Sequence, residues 1–140
     1  MKIILASIFM FLAIKGHSQE KIVWSKSDSI WAWVGQVDGS VFLIKKTYET
    51  KSNGETTIWV KTFNNPTKVK GKVVKKGTVE KTLYVFDCPN KKMKAIQRVT
   101  YDSDGKLLKS VTIEDYEQKW TNIVPETVGE ELSRKACELE

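Results

Sequence analysis

Histidine is nearly absent from this chain of 140 residues, since His17 is the only one. It lies in an N-terminal segment that we expect to be removed, so the mature protein would have none. A protein without histidine cannot use Ser-His-Asp or Cys-His catalysis, and it lacks the commonest ligand of catalytic zinc. The sequence also shows no Gly-rich phosphate loop and no cluster with metal-ligand spacing. We therefore expect no enzymatic activity, no cofactor and no metal.

Long hydrophobic runs are missing as well. The longest, Ile3–Ile14, has 12 residues after a positively charged start, and the small residues Gly16 and Ser18 follow it. As a helix it would rise only about 18 Å, which is too short for a hydrocarbon core of about 30 Å. The pattern is typical of a secretory signal peptide, and no cysteine follows that could carry a lipid anchor. We expect residues 1–18 to be the signal peptide and residues 19–140 to be one domain in the periplasm, on the cell surface or in the medium.

Cysteine is limited to Cys88 and Cys137, both in the part expected to be exported. An even number of cysteines in an exported chain favours a disulfide, which here would close a loop spanning 49 positions. Two free catalytic thiols are the alternative. That alternative is disfavoured because there is no Cys-x-x-Cys pair and no histidine to activate either thiol.

What the sequence does contain is a succession of strands. Runs rich in β-branched and aromatic residues are separated by the hairpin signals Asp38-Gly39, Asn53-Gly54 and Asp104-Gly105. The pattern predicts an antiparallel meander of six or seven strands. The predicted strands are Ser29–Val37, Ser40–Tyr48, Thr56–Thr62, Lys68–Lys76, Lys81–Cys88, Lys92–Asp102 and Lys106–Ile113.

The C-terminal segment has helical spacing instead. Thr127 and Glu130 have the spacing of a capping box, in which each side chain satisfies a backbone N–H of the other residue. An apolar stripe then predicts one helix packed on the sheet, formed by Val128, Leu132, Ala136 and Leu139. The fold class is therefore α+β. In a straight helix Cys137 points away from Val128, so a disulfide requires either a loosened last turn or a helix that presents an edge.

Several of these features occur in an order that resembles the surface-adhesin E-like domain family of exported bacterial proteins. The shared features are Asp87-Cys88, Tyr101-Asp102-Ser103-Asp104-Gly105, the segment from Trp120 to Val128, Leu132 and Cys137. The resemblance spans Trp24 to Leu139. It implies a six-stranded antiparallel sheet with a disulfide-tethered C-terminal helix, and a protein that binds host matrix or plasma proteins. Two departures are a longer, lysine-rich stretch from Thr67 to Lys81 and Glu126-Thr127 where a Gly-Ser pair is more usual.

Positive charge is the first candidate for a binding surface. Without residues 1–18 the chain has 21 basic and 17 acidic side chains, a net charge of +4. Strand periodicity would place two groups of cations on one open sheet face: Lys68, Lys70 and Lys72, and then Lys92, Lys94 and Arg98. Such a face would attract an acidic protein segment or an acidic glycan. A solvated face whose lysines protect strand edges is the more frequent meaning of such runs.

The tryptophans are the second candidate. Trp31 and Trp33 share a face, and they are exposed if Ile30, Ala32 and Val34 point into the core. An exposed pair would suit a protein, a sugar or a flat ligand. The opposite orientation, with both rings in the core, stays open. Trp59 and Trp120 are expected in the core or between sheet and helix.

We expect an exported, adhesin-like binding protein that acts through the basic face or a sheet edge on an extracellular or envelope protein. One alternative is an envelope structural protein that associates through strand edges, including as a homodimer. Another is a small-ligand module that uses Trp31 and Trp33. Nucleic acid is not an expected partner, because arginine is scarce, aromatic residues do not alternate with the lysines of these two groups, and the protein is expected to be exported.

Overall fold

The computed structural model describes residues 30–65, 67–69, 72–75 and 77–138, with 67–69 and 72–75 described by their backbone alone. The expected signal peptide lies outside these residues. The strands are β1 (Trp31–Val37), β2 (Ser40–Thr50), β3 (Glu55–Asn64), β4 (Thr67–Val69), β5 (Lys72–Lys75), β6 (Thr78–Asp87), β7 (Lys92–Asp102), β8 (Leu107–Thr112) and β9 (Thr121–Asn122). A 3-10 turn (Asp115–Glu117) and the helix α1 (Val128–Cys137) complete the elements. Within the described ranges, no helix is both long and apolar enough to cross a membrane.

The main sheet is an antiparallel meander in the order β1-β2-β3-β6-β7-β8, and β9 pairs with the start of β7. The predicted meander with one C-terminal helix is confirmed. The predicted strand Lys68–Lys76 is wrong, because that segment contains β4 and β5, which pair with each other with Val69 opposite Lys72. In the sequence, Lys70-Gly71 interrupts the β-branched run at this point, and glycine weakens a strand interior.

Local turn chemistry sets the hairpins. Asp38 and Gly39 have φ values of 48° and 78°, which is the left-handed backbone that a two-residue hairpin between β1 and β2 requires. Gly54 has φ 82°, and a Cβ atom at this position would lie 2.9 Å from the ring of Pro89. This turn therefore also requires glycine, which has no side chain.

The core lies between one face of the sheet and α1. Leu132 and Ala136 of the helix are buried in one cluster with side chains of four strands: Val34, Ile44, Ile58, Val60 and Phe86. Val34 and the partly buried Ala32 therefore face the helix, which decides the orientation of β1. We call this side of the sheet the helix side and the opposite side the outer face.

The N-terminus of α1 is capped by its own side chains. The Thr127 hydroxyl accepts a hydrogen bond from the Glu130 N–H at 3.4 Å. The Glu130 carboxylate accepts from the backbone N–H of Glu126 at 2.8 Å, one residue earlier than the capping-box pattern predicts. Both interactions tie down the first turn of the helix.

Removing the capping oxygen should measurably weaken the fold. We expect Thr127→Ala to lower the free energy of unfolding by about 1 kcal/mol, the usual loss for an N-cap. Urea denaturation would measure it. Thr127→Ser keeps the oxygen and should remain close to the native protein, so an equal loss in both variants would contradict a capping role.

A disulfide joins α1 to the sheet. Cys88 and Cys137 are bonded, with their Cα atoms 5.8 Å apart, as predicted. The helix continues to Cys137, which is half-buried beside the buried Ala136. The helix therefore presents an edge, and its last turn is not loosened. Leu139, the last residue of the predicted stripe, lies outside the described residues.

Candidate binding face

The outer face carries rings and lysines together. Paired residues of neighbouring strands point to the same side, so the register places the odd-numbered residues of β3 and β6 on this face. We define the aromatic–lysine face by its members on four strands and the segment before β9: Trp31, Trp33, Trp59, Lys61, Phe63, Lys81, Lys94, Tyr101 and Trp120.

Three lysines of this face lie over aromatic rings. The Nζ atom of Lys61 is 5.4 Å from the ring centre of Trp31 and 4.9 Å from that of Phe63. Lys81 is 5.0 Å from the ring centre of Tyr101, and Lys94 is 4.8 Å from that of Trp120. At partly exposed sites a cation–π contact contributes about 0.5–1 kcal/mol, so these contacts hold the ammonium groups against the sheet surface.

Two of these lysines stand directly opposite each other. Lys61 of β3 pairs with Lys81 of β6 in the sheet register. Like charges at such a position are destabilising by a few tenths of a kcal/mol up to about 1 kcal/mol. The ring contacts of both side chains offset part of that cost, and the pair concentrates positive charge at the centre of the face.

Acidic groups lie towards one end of the outer face, and two of them, Asp87 and Glu55, are already engaged. Asp87 accepts hydrogen bonds from the backbone N–H and the side-chain amide of Asn90, at 3.1 and 2.8 Å, and so stabilises the turn between β6 and β7. Glu55 forms an ion pair with Lys51 at 3.6 Å. In the part of the chain that the structure describes, no ion pair involves Lys81 or Lys94. The centre of the face is thus positively charged.

The structure places the second group of predicted cations on two different faces of the sheet. Lys92 and Lys94 lie on the outer face, opposite Asp87 and Val85 of β6. Arg98 does not join them, and its predicted placement is wrong, because a bulge at Ile96 reverses the alternation of β7.

Arg98 lies on the helix side, where its Nε atom is 3.5 Å from the carboxylate of Glu80. Burial raises the pKa of the nearby Tyr84 hydroxyl, and the positive charge of Arg98 opposes that rise. The ion pair therefore lies on the helix side of the sheet and not on the outer face.

The first group of predicted cations is described only in part. Lys68 lies in β4 and Lys72 in β5, and both strands belong to the separate two-stranded sheet. Lys70 lies outside the described residues. The participation of these three lysines in binding stays a prediction.

The structure shows the orientation of Trp31 and Trp33, which the sequence left open, and corrects the predicted placement of Trp59 and Trp120. Trp33 is 61% exposed, and Trp31 is half-buried beside Lys61. Both lie on the outer face because Ala32 and Val34 point to the core. Trp59 is half-buried on the outer face and Trp120 is exposed, so their expected placement in the core or between sheet and helix is wrong.

Sequence reasoning missed Lys61, Lys81 and Tyr101 as parts of the site. A signal was present, because Lys61 lies between Trp59 and Phe63 at strand periodicity. The contact of Lys94 with Trp120 joins residues 26 positions apart. No local pattern could show it.

The model of one protein family, surface-adhesin protein E, matches residues 31–138. The match begins with β1 and includes the meander, both cysteines and the whole of α1. The chain belongs to the surface-adhesin protein E family. No curated protein and no solved structure matches it. This surface-adhesin E protein is thus an adhesin-like surface protein, and membership favours an exported binding protein over an enzyme.

Proposed function

We propose that this surface-adhesin E protein attaches to host matrix or plasma proteins, and that the aromatic–lysine face binds acidic segments of those proteins. The observation that carries the proposal is that Lys81 and Lys94 lie over the aromatic rings of Tyr101 and Trp120. Neither lysine forms an ion pair within the described residues, so an acidic partner can bind both ammonium groups.

The chemistry of the face supports a protein partner. Tryptophan and tyrosine are enriched among the residues that dominate protein–protein binding energy, because they bury a large area with few rotatable bonds. Here Trp33 and Trp120 are exposed, at 61% and 39%, and lysines lie over or beside the neighbouring rings. The rings supply area, and the lysines select acidic groups.

Charge should set the speed and the salt dependence of binding. The expected mature chain has a net charge of +4, and a positively charged face accelerates encounter with acidic partners. Exposed charges are screened over about 8 Å at physiological ionic strength, so attachment should weaken as salt rises.

Charge reversal on the face tests the proposal. In a solid-phase assay with immobilised matrix and plasma proteins, we expect Lys81→Glu with Lys94→Glu to reduce affinity at least about tenfold. The matched control is Lys106→Glu with Lys135→Glu, which changes the net charge equally at positions away from the face. The control should bind as the native protein does, and both double variants should keep the native circular dichroism spectrum.

Three results would count against this function. Equal losses in both double variants would show that only net charge matters. Saturable binding that disappears when acidic glycans are enzymatically removed from the coated proteins would assign the partner to the glycan. No saturable binding to any of the proteins would remove the adhesive role itself.

A further inference from the structure

The last strand of the meander leaves one edge uncovered. All six residues of β8 are exposed, including Leu107 and Leu108 at 54% and 55%. Among the described residues, β8 pairs with β7 alone. Exposed edge strands usually carry protection, and here it is limited to Lys109 and the bulge at Leu108.

The backbone groups that face outward can be assigned. The N–H of Ile113 donates to the carbonyl of Ile96 at 2.9 Å, so the backbone polar groups of Ile113 point towards β7. In an antiparallel strand, the N–H and C=O groups of successive residues point alternately towards and away from the neighbouring strand. Ser110 and Thr112 therefore direct their N–H and C=O groups away from β7, as a further strand would require.

A cavity of about 180 Å³ lies beside this edge, on the helix side. Arg98 and Thr100 of β7 line it together with Lys109, Val111 and Ile113. Two cations and three β-branched side chains therefore meet there. One carboxylate, that of Glu80, is paired with Arg98, so the cavity retains a positive charge.

We propose that β8 accepts an extended acidic segment of a partner protein as an added strand, and that one glutamate side chain of that segment enters the cavity. In strand addition, main-chain hydrogen bonds give affinity and pockets for alternate side chains give specificity. Both parts are present here: the outward groups of Ser110 and Thr112, and a cavity on the side where every second residue of an added strand would project.

The lining selects the occupant. Paired residues of neighbouring strands point to one face, so the residue opposite Val111 would project on the cavity side. A glutamate has an aliphatic stem that fits along Val111 and Ile113, and a carboxylate that can reach the cations. This edge is separate from the aromatic–lysine face, so the inference does not rest on the adhesive function proposed above.

Fluorescence polarisation with a labelled peptide tests the site. The probe is Thr-Val-Thr-Glu-Thr-Val-Thr, and the comparison peptide carries lysine in place of glutamate. We expect the glutamate peptide to bind at least about tenfold more tightly, the usual scale of a lost charge-assisted contact. Lys109→Glu should reverse that preference.

One substitution isolates the backbone part. Proline at Ser110 removes an N–H that points outward and leaves the ladder with β7 intact. Ser110→Pro should abolish peptide binding, whereas Ser110→Ala should bind like the native protein, with equal melting temperatures. Lys81→Glu with Lys94→Glu should also leave peptide binding unchanged, which separates this site from the outer face.

Three outcomes would overturn the inference. The first is equal affinity for the glutamate and lysine peptides. The second is retained binding by Ser110→Pro in a protein that melts normally. The third is self-association in sedimentation experiments that Ser110→Pro abolishes, because a second copy of the chain would then be the occupant of β8.

Discussion

Replacing Phe86 by alanine should destabilise the protein by about 3–5 kcal/mol, the range for a buried phenylalanine. Phe86 is fully buried, and it stands in the register between Thr56 of β3 and Met93 of β7. Its ring belongs to the cluster that joins the sheet to Leu132 and Ala136. Since domains are stable by only about 5–15 kcal/mol, this single change would remove a large fraction of the total.

Urea denaturation followed by circular dichroism measures that loss. The control is Leu108→Ala, which removes a leucine exposed at the edge of β8 and should change stability by no more than about 0.5 kcal/mol. Comparable losses at both positions would contradict the placement of Phe86 in the core on the helix side. At temperatures where the Phe86→Ala variant is still folded, it should bind through the outer face, because Phe86 points away from that face.

The elements that local chemistry specifies could be predicted from the sequence. The hairpin at Asp38-Gly39 follows from left-handed backbone, and the helix start at Thr127 follows from a side chain that caps it. The sequence does not decide whether Trp33 is exposed, because the alternation of side chains along a strand does not show which of the two faces is buried. The contacts of Ala32 and Val34 with the core decide it.

The features that depend on register could not be predicted. One extra residue at Ile96 moves Arg98 to the opposite face from Lys94, and a bulge leaves no reliable mark in a single sequence. The opposition of Lys61 and Lys81 likewise exists only once β3 and β6 are paired. The candidate face is therefore a product of pairing, although its lysines and rings are plain in the sequence.

Reducing the Cys88–Cys137 disulfide should cost about 4 kcal/mol, the value that the chain-entropy model assigns to a loop of this length. A second effect adds to it. The helix has only ten residues, and isolated helices of that length are marginal in water. After reduction, α1 is held only by its packing on the sheet, through Leu132, Ala136 and the partly buried Val128. We therefore expect helical circular dichroism to be lost at lower urea than sheet signal.

The double variant Cys88→Ser with Cys137→Ser supplies the control. Reductant should lower the stability of the native protein to that of the double variant and should leave the double variant unchanged. If reductant does not change the stability of the native protein to urea, the disulfide does not act as the tether of α1.

A binding measurement on the reduced protein distinguishes the roles of the two sides of the sheet. The disulfide lies on the helix side and the aromatic–lysine face lies on the other, so reduction below the melting temperature should leave attachment to matrix proteins intact. If affinity instead falls in proportion to the loss of helical signal, the bound surface includes α1, and the outer face alone does not explain attachment.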